Sequence, residues 1–247
     1  MSKRRNRRSN KNNQTIVGIL SAFVLLGLIF CSANTEVLNG VSNIADSNTV
    51  SQEKQEEATT ANSVEFVADD NLEVYFIDVG QADSILVMNG NESMLIDAGN
   101  NEDGKDVVSF IQNKGIEKLN YVIGTHPHED HIGGLDDVIE SFEVENIYMP
   151  KIETTTKTFE DVLDAISNKN LKVTAPTKGQ TFNVGEAKCE IMTDSILDKN
   201  NLNLSSIVIR LEFGNNSFLF MGDAETENEK TRDWPKTDVL KVGHHRF

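Results

Sequence analysis

The residues of this sequence best suited to metal chemistry are its five histidines, which lie in two short clusters. Three of them, His126, His128 and His131, belong to the segment THPHEDH, and the other two are neighbours near the end of the chain. Imidazole nitrogens beside a carboxylate suit zinc, and also iron or manganese. Three histidines and one aspartate fall within six positions here, which is rare for scattered surface residues. The spacing therefore predicts a metal site.

The backbone of the histidine segment indicates how its side chains would be divided. Pro127 biases His126 toward extended geometry. In an extended segment residues i and i+2 face the same way, so His126 and His128 can bind one metal ion. Asp130 and His131 follow the next bend and can point at a second, adjacent ion. The segment alone can thus supply ligands for two neighbouring metals.

The elements around this segment predict an α/β protein. The apolar strand 119–125 ends at the histidine segment, and sites of α/β proteins lie at the carboxyl ends of strands. Gly133 and Gly134 lack a Cβ atom, which would let the chain turn tightly into a helix over 135–142. Strands and helices alternate after a β-rich start, so we expect sheets covered by helices. The other predicted strands are 72–79, 83–88, 93–98, 144–149, 171–175, 188–192, 206–213, 217–221 and 238–242, and the other predicted helices are 104–114, 158–169 and 224–232.

The charge is distributed unevenly along the chain. The 247 residues include 23 Lys+Arg and 39 Asp+Glu, giving a net charge of −16. Residues 1–33 hold six of the basic residues and no acid, which leaves 17 basic and 39 acidic residues, or −22, for 34–247. The composition excludes a fully disordered chain and a multi-span membrane protein. The two cysteines exclude a disulfide-stapled scaffold, and the acidity argues against gripping nucleic acid by charge alone.

The N-terminal third has the composition of a membrane-targeting segment followed by a tether. The basic residues of 1–33 precede the uncharged run Ile16–Cys31, which predicts an export signal that is long enough to span a bilayer. The basic side would stay in the cytoplasm and the rest would lie outside. The segment is either retained as a single-pass anchor of the cell membrane or cleaved after Ala33, which would release a secreted protein. Residues 34–70 are polar and acidic and predict a disordered tether, so 71–247 is the predicted folded domain.

Several segments resemble one known family. THPHEDH matches the HxHxDH motif of the metallo-β-lactamase superfamily. FIDVGQADSILV, MLIDAG, NLSSIVIRLEFGNNSFLFMGDAE and VLKVGHH are similar to the extracytoplasmic domain of ComEC-type competence proteins and to secreted, stand-alone relatives of that domain. The resemblance extends from about Leu72 to His245. It implies an αβ/βα sandwich with a dinuclear metal site at one edge.

The resemblance also implies six metal ligands and a mechanism. A water or hydroxide held between two divalent ions, most simply Zn²⁺ and alternatively Mn²⁺, would be the nucleophile. Asp130 would orient this water as the catalytic side chain. Asp97 would orient a ligand histidine, and His245 would lie beside the last ligand. The implied ligands are His126 and His128 for the first ion, Asp130, His131 and His244 for the second, and Asp223 as a bridge between them.

One departure from the family pattern concerns a further histidine just before the strand that leads to Asp223. The sequence there reads NNLNLSS, so Asn203 or Ser205 would have to replace it. Simpler interpretations also remain for single residues. Asp223 could cap the helix that follows it, and Asp78 and Asp83 could be turn residues.

The expected function is that of an extracytoplasmic metallohydrolase that acts on a phosphodiester, with DNA as a candidate substrate. Two alternatives stay open: hydrolysis of a small ester, lactone or amide, and a non-catalytic binding or accessory domain with an incomplete metal site. Family members continue beyond the VGHH segment, so 71–247 is expected to be incomplete at its C-terminus, and an incomplete domain would be a weak or inactive enzyme. The sequence indicates membrane contact through the N-terminal segment and points to no protein partner.

Overall fold

The structure is a computed structural model, and it describes residues 71–194, 196–230 and 233–244. Its first sheet contains six strands that are adjacent in chain order. The first three strands form an antiparallel meander, and the third to sixth run parallel. These strands are β1 (Leu72–Phe76), β2 (Ile85–Asn89), β3 (Glu92–Ile96), β4 (Lys118–Ile123), β5 (Glu143–Tyr148) and β6 (Val173–Thr174).

Four helices connect the parallel strands of this sheet, and the longest shows why they form. The Thr156 side chain accepts a hydrogen bond from the Phe159 N–H at 3.3 Å and so caps its first turn. Phe159, Val162 and Ile166 then recur at helical spacing and are buried against the sheet. The helices are α1 (Gly104–Asn113), α2 (Glu129–Ile132), α3 (Leu135–Ser141) and α4 (Lys157–Asn168).

The second sheet contains five strands and is also mixed. Its first four strands are antiparallel neighbours, and the fifth returns parallel to the fourth. A 3₁₀ helix over Leu202–Ser205 and a short helix α5 (Thr226–Glu229) lie in its connections. The strands are β7 (Thr181–Val184), β8 (Ala187–Ile191), β9 (Ile209–Phe213), β10 (Asn216–Phe220) and β11 (Val239–Lys241).

Two apolar layers hold this arrangement together. Met94 and Ile96 of β3 face the second sheet and pack in one cluster with Leu211 and Phe220. Leu95, between them in the sequence, faces the opposite way and packs with the helices. A strand with both faces covered reads as a continuous apolar run, as β3 does. The layers are therefore helices, first sheet and second sheet.

The predicted α/β class and every predicted strand and helix are present, with shifted ends. The strand predicted over 206–213 starts only at Ile209, because the 3₁₀ helix extends to Ser205 and the Ile207 N–H then donates to the Thr125 carbonyl, outside the second sheet. The helix predicted from 224 starts at Thr226, because Glu225 has extended backbone and caps it. Strand β7 was not predicted, since four residues with two apolar side chains are a weak signal. Of the predicted αβ/βα sandwich, the part described comprises the helical layer and both sheets.

The predicted targeting segment (1–33) and tether (34–70) lie outside the described residues. Their assignments therefore stay predictions. Within 71–194, 196–230 and 233–244, no helix has the length and hydropathy needed to cross a bilayer.

Candidate metal centre

The candidate centre lies where chain segments that leave the two sheets meet. His126 follows strand β4 of the first sheet, and Asp223 follows strand β10 of the second. The Ile207 N–H donates to the Thr125 carbonyl at 3.0 Å, which joins the two segments by a main-chain hydrogen bond. The Asp223 N–H donates to the Ser206 hydroxyl at 3.1 Å. The backbone of both segments is thus fixed before any metal is considered.

Three of the predicted ligands converge in one buried group. Ligand atoms of His126, His131 and Asp223 all lie within 4.8 Å of one another. The Asp223 carboxylate is 3.2 Å from His131 Nε2 and 3.8 Å from His126 Nε2. All three residues are at most 2% exposed. Two imidazoles and a carboxylate shielded from water are a donor set that fits a divalent ion such as Zn²⁺ or Mn²⁺.

The other predicted ligands lie at different distances from this group. His128 is adjacent, with its Nδ1 3.0 Å from His126 Nε2. The His128 N–H donates to the His126 carbonyl at 3.0 Å, so the chain bends between the two residues instead of continuing extended as predicted. Asp130 is half-buried in α2, and its carbonyl accepts from the Asp83 N–H at 3.1 Å. The His244 side chain is 44% exposed. Among the described residues, neither Asp130 nor His244 contributes an atom to the three-residue group. His245 lies outside the described part of the chain.

Asp97 makes the contact expected of a residue that orients a histidine. Its buried carboxylate accepts from His131 Nδ1 at 2.8 Å, from the Thr125 N–H at 2.8 Å and from the Thr125 hydroxyl at 2.7 Å. The Thr125 hydroxyl is also 3.1 Å from His126 Nδ1. Fixing the Nδ1 atoms in this way turns both Nε2 atoms toward Asp223. Sequence reasoning identified Asp97 and missed Thr125, whose place directly before His126 was the available signal.

The two buried histidines have opposite pKa shifts. Burial, followed by the neighbouring His131, holds the pKa of His126 well below its usual 6.5. Burial opposes the charged form of His131 too, but the carboxylates of Asp97 and Asp223 outweigh it and raise its pKa to about 10. Without metal, His131 is therefore an imidazolium at neutral pH beside a neutral His126. Burial also raises the pKa of Asp97, against the opposing effect of its His131 contact.

A metal ion that binds His131 must displace a proton, so metal affinity is expected to rise with pH. His131 keeps its proton in the folded, metal-free protein up to a pKa of about 10. The proton on His131 stabilises the metal-free fold, and this stabilisation is complete below about pH 6.5, the pKa of an unfolded histidine. It is lost as the pH rises toward the folded-state pKa of about 10. Between about pH 7 and 9 we expect metal affinity to increase, with about one extra proton released per ion. Calorimetry in buffers of different ionisation enthalpy measures that proton, and an affinity that falls with rising pH would contradict the prediction.

In NNLNLSS, the segment without the expected histidine, the two candidate replacement residues form hydrogen bonds with other groups. Asn203 is buried and donates from Nδ2 to Glu225 Oε1 at 3.0 Å, and His244 Nδ1 lies 3.3 Å from the same oxygen. The Ser205 hydroxyl donates at 2.7 Å to a carbonyl of its own 3₁₀ helix. Glu225 also caps α5, so the alternative interpretation of Asp223 as the helix cap is wrong. Sequence reasoning missed Glu225, which follows GDA directly.

A lysine that sequence reasoning also missed reaches the centre from β11. Lys241 Nζ forms an ion pair with Asp83, donates to the Gly222 carbonyl at 2.9 Å and lies 4.0 Å from Asp223 Oδ1. Asp83 therefore does more than form a turn, whereas Asp78 accepts from the Gly80 N–H at 3.3 Å as a turn residue does. A lysine inside the apolar run VLKV was the signal that could have identified it.

The two glycines after the histidine segment serve close packing. Gly133 has φ −57 and Gly134 has φ −91, which other residues also adopt, so the predicted tight turn is not their reason. A Cβ atom on Gly133 would lie 2.3 Å from the Asn100 carbonyl carbon, and one on Gly134 would lie 2.5 Å from the Ala98 carbonyl oxygen. Their lack of a side chain lets the loop after β3 lie directly against α2 and α3.

The fold and the site together identify the family. Residues 77–246 match the model of the metallo-beta-lactamase superfamily, and the chain belongs to that superfamily. The match covers every strand of the two sheets except β1, and it includes the histidine segment and Asp223. It confirms the resemblance that the motifs indicated.

Two curated relatives and one solved structure are similar to parts of this chain. The chain is 29% identical over 195 residues to ComE operon protein 3 of Bacillus subtilis, covering 70% of this chain and 25% of that protein. It is 28% identical over 176 residues to Recombination protein 2 of Haemophilus influenzae, covering 68% of this chain and 21% of that protein. The chain thus spans about a quarter or less of these relatives. The metallo-beta-lactamase fold protein YhfI of Bacillus subtilis is 18% identical, with a TM-score of 0.42 over 63% of this chain and 61% of that one.

Proposed function

We propose that this protein is a metal-dependent phosphodiesterase, with DNA as the substrate class to test first. The observation that carries the proposal is the buried group of His126, His131 and Asp223, whose nitrogen and oxygen atoms lie within 4.8 Å of one another. Membership of the metallo-beta-lactamase superfamily supports the same chemistry. The names of the two curated relatives, a ComE operon protein and a recombination protein, favour a nucleic-acid substrate over a small ester.

The proposed ligands act from both sheets. When bound, two divalent ions would lower the pKa of a water molecule and stabilise negative charge on the attacked group. Asp223 would serve both ions, since its two oxygens face different histidines. Asp130 would orient the attacking water. The full proposed set is His126 and His128 for one ion, Asp130, His131 and His244 for the other, and Asp223 between them.

We also propose that the reaction takes place outside the cytoplasm. The run Ile16–Cys31 after a basic N-terminus supports a membrane anchor or a cleaved signal, and 34–70 supports a tether between it and the domain. In the anchored form the tether would hold 71–247 off the membrane surface. Protease accessibility of the domain in intact cells tests this placement, and protection from protease would oppose it.

A second candidate function is a metal-binding accessory domain without catalysis. It is favoured by the absence of a histidine in NNLNLSS and by the exposed position of His244. The two candidates differ in one measurable property. Both predict divalent-metal binding, but only the enzyme predicts turnover that depends on the metal.

The test is a comparison of substrates on the purified chain with Zn²⁺ or Mn²⁺. Bis(p-nitrophenyl) phosphate and single-stranded DNA represent phosphodiesters, and nitrocefin represents a lactam. We expect hydrolysis of the phosphodiesters only, and its loss in the double variant His126→Ala/His128→Ala. Equal turnover by the variant would refute the metal mechanism, lactam turnover alone would favour the small-amide alternative, and metal binding without turnover would favour the accessory domain.

A further inference from the structure

Lys241 is the least exposed residue of strand β11, although its neighbours in the strand are apolar. On β11, Val239 is 37% exposed and Leu240 is 51% exposed, whereas the Lys241 side chain is only 11% exposed. Lysine normally keeps its ammonium group in water and is rarely buried without a partner. This reversal of the usual pattern places a positive charge inside the candidate metal centre.

The ammonium group connects carboxylates that come from the two sheets. It pairs with Asp83, which lies in the loop before β2 of the first sheet. It also lies 4.0 Å from Asp223 Oδ1 and donates to the Gly222 carbonyl at 2.9 Å, both after β10 of the second sheet. The lysine therefore occupies space between carboxylates, where a cation is favoured.

The positions of these carboxylates relate the lysine to metal binding. The structure describes two groups able to hold an ion, and they share His131: one adds His126 and Asp223, the other adds Asp83 and Asp97. Lys241 contacts Asp83 of the second group and approaches Asp223 of the first. The proposed second ion needs His131 and Asp223, and Asp223 Oδ1 lies 3.2 Å from His131 Nε2 and 4.0 Å from the Lys241 ammonium. A fixed positive charge a few ångströms from a divalent ion, in a site with little water, opposes its binding.

We propose that Lys241 controls the metal loading of this centre by acting as a built-in competitor of the second ion. The ion of His126, His128 and Asp223 binds tightly, and the ion of Asp130, His131, His244 and Asp223 binds weakly because the Lys241 ammonium already neutralises part of the Asp223 charge. This inference rests on one part of the proposed function, namely that divalent ions bind to this centre, and it does not depend on hydrolysis. It assigns Lys241 a positioning and electrostatic role and no contact with substrate.

The competing explanation is an ordinary interior ion pair that holds the two sheets together. Such a pair gives little net stability, because the desolvation of both charges offsets their attraction. A purely structural Lys241 would affect melting temperature and leave the ratio of the two metal affinities unchanged. Metal stoichiometry therefore separates the two explanations.

The experiment is calorimetric titration of Mn²⁺ and of Zn²⁺ into the metal-free full chain. We expect one tight ion and a second that is at least about 100-fold weaker in the wild type, and at least about tenfold tightening of the weaker site in Lys241→Met. Lys241→Arg keeps the charge and is expected to keep the weak second site. Two ions of equal affinity in the wild type, or no tightening in a folded Lys241→Met, would overturn the inference.

Two further measurements keep the test decisive. A thermal melt of each metal-free variant shows whether it is folded. Asp83→Asn removes the ion-pair partner of Lys241 but leaves the lysine's positive charge, so the second site is expected not to tighten in this variant. If Lys241→Met does not fold, Lys241→Gln is titrated in its place, and a folded Lys241→Gln without tightening of the weaker site would contradict the inference. A wild type that binds no metal at all would instead refute the proposed function.

Discussion

Replacing Asp223 with asparagine is expected to abolish tight metal binding and hydrolysis while leaving the fold intact. The carboxylate faces both buried histidines, with contacts of 3.2 Å to His131 and 3.8 Å to His126. Asparagine has the same shape and keeps the backbone contact to Ser206, so packing is preserved. The substitution removes the negative charge that the proposed ions share. We expect metal affinity to fall at least about 100-fold and turnover to fall about 10³-fold or more.

The measurements for Asp223→Asn are calorimetric metal titration, hydrolysis of bis(p-nitrophenyl) phosphate and thermal melting of the metal-free protein. The matched control is Asp164→Asn, which makes the same chemical change on the exposed face of α4. The control should behave as the wild type in all three assays. Wild-type metal affinity in Asp223→Asn would remove this carboxylate from the centre.

The second large effect is expected for Asp97→Asn, on the stability of the metal-free protein. Asp97 is 1% exposed and holds the protonated His131 through a 2.8 Å contact. Loss of the Asp97 carboxylate leaves the buried His131 imidazolium without its main counter-charge, and an uncompensated buried charge typically costs about 3–5 kcal/mol of folding stability. Because the pKa of His131 is about 10, this cost should be largest near neutral pH and shrink as the pH approaches 10.

Chemical denaturation of the metal-free wild type and of Asp97→Asn at several pH values tests this prediction. The backbone contribution must be separated, because Asp97 has φ +58, a conformation that asparagine tolerates and alanine does not. Asn170→Ala is the control, since Asn170 has φ +55 on an exposed loop and should lose only the backbone part, about 1–2 kcal/mol. A stability difference for Asp97→Asn that stays constant from pH 7 to 10 would contradict the role of the charge.

Spacing within short segments predicted the parts of the site that are local in sequence. His126 and His128 lie next to each other because only one residue separates them, although the chain bends there instead of continuing extended. Asp97 meets His131 as the motif resemblance implied. Lys241 and its partner Asp83 belong to different sheets, and their contact depends on how β11 lies against β10. Periodicity within one segment contains no information on that arrangement.

The same limit explains which elements were misplaced. Helix α4 was predicted nearly to its ends because its apolar spacing and its Thr156 cap are both local. The helix predicted from 224 starts two residues late because the Glu225 side chain bonds Asn201 and Asn203 of a distant turn. Where the partner of a residue lies far away in the chain, sequence pattern predicts the element and misses its boundary.

The division of the ligands between the two sheets has a consequence for the order of events during synthesis. His126, His128, His131 and Asp97 leave the ribosome first with 71–194. Asp223, Lys241 and His244 follow only with the last strands of the second sheet. A nascent chain therefore presents imidazoles without the carboxylate that completes the three-residue group. Metal acquisition is then a late event that follows the docking of the two sheets, and an exported chain would take its ions from the medium outside the cell.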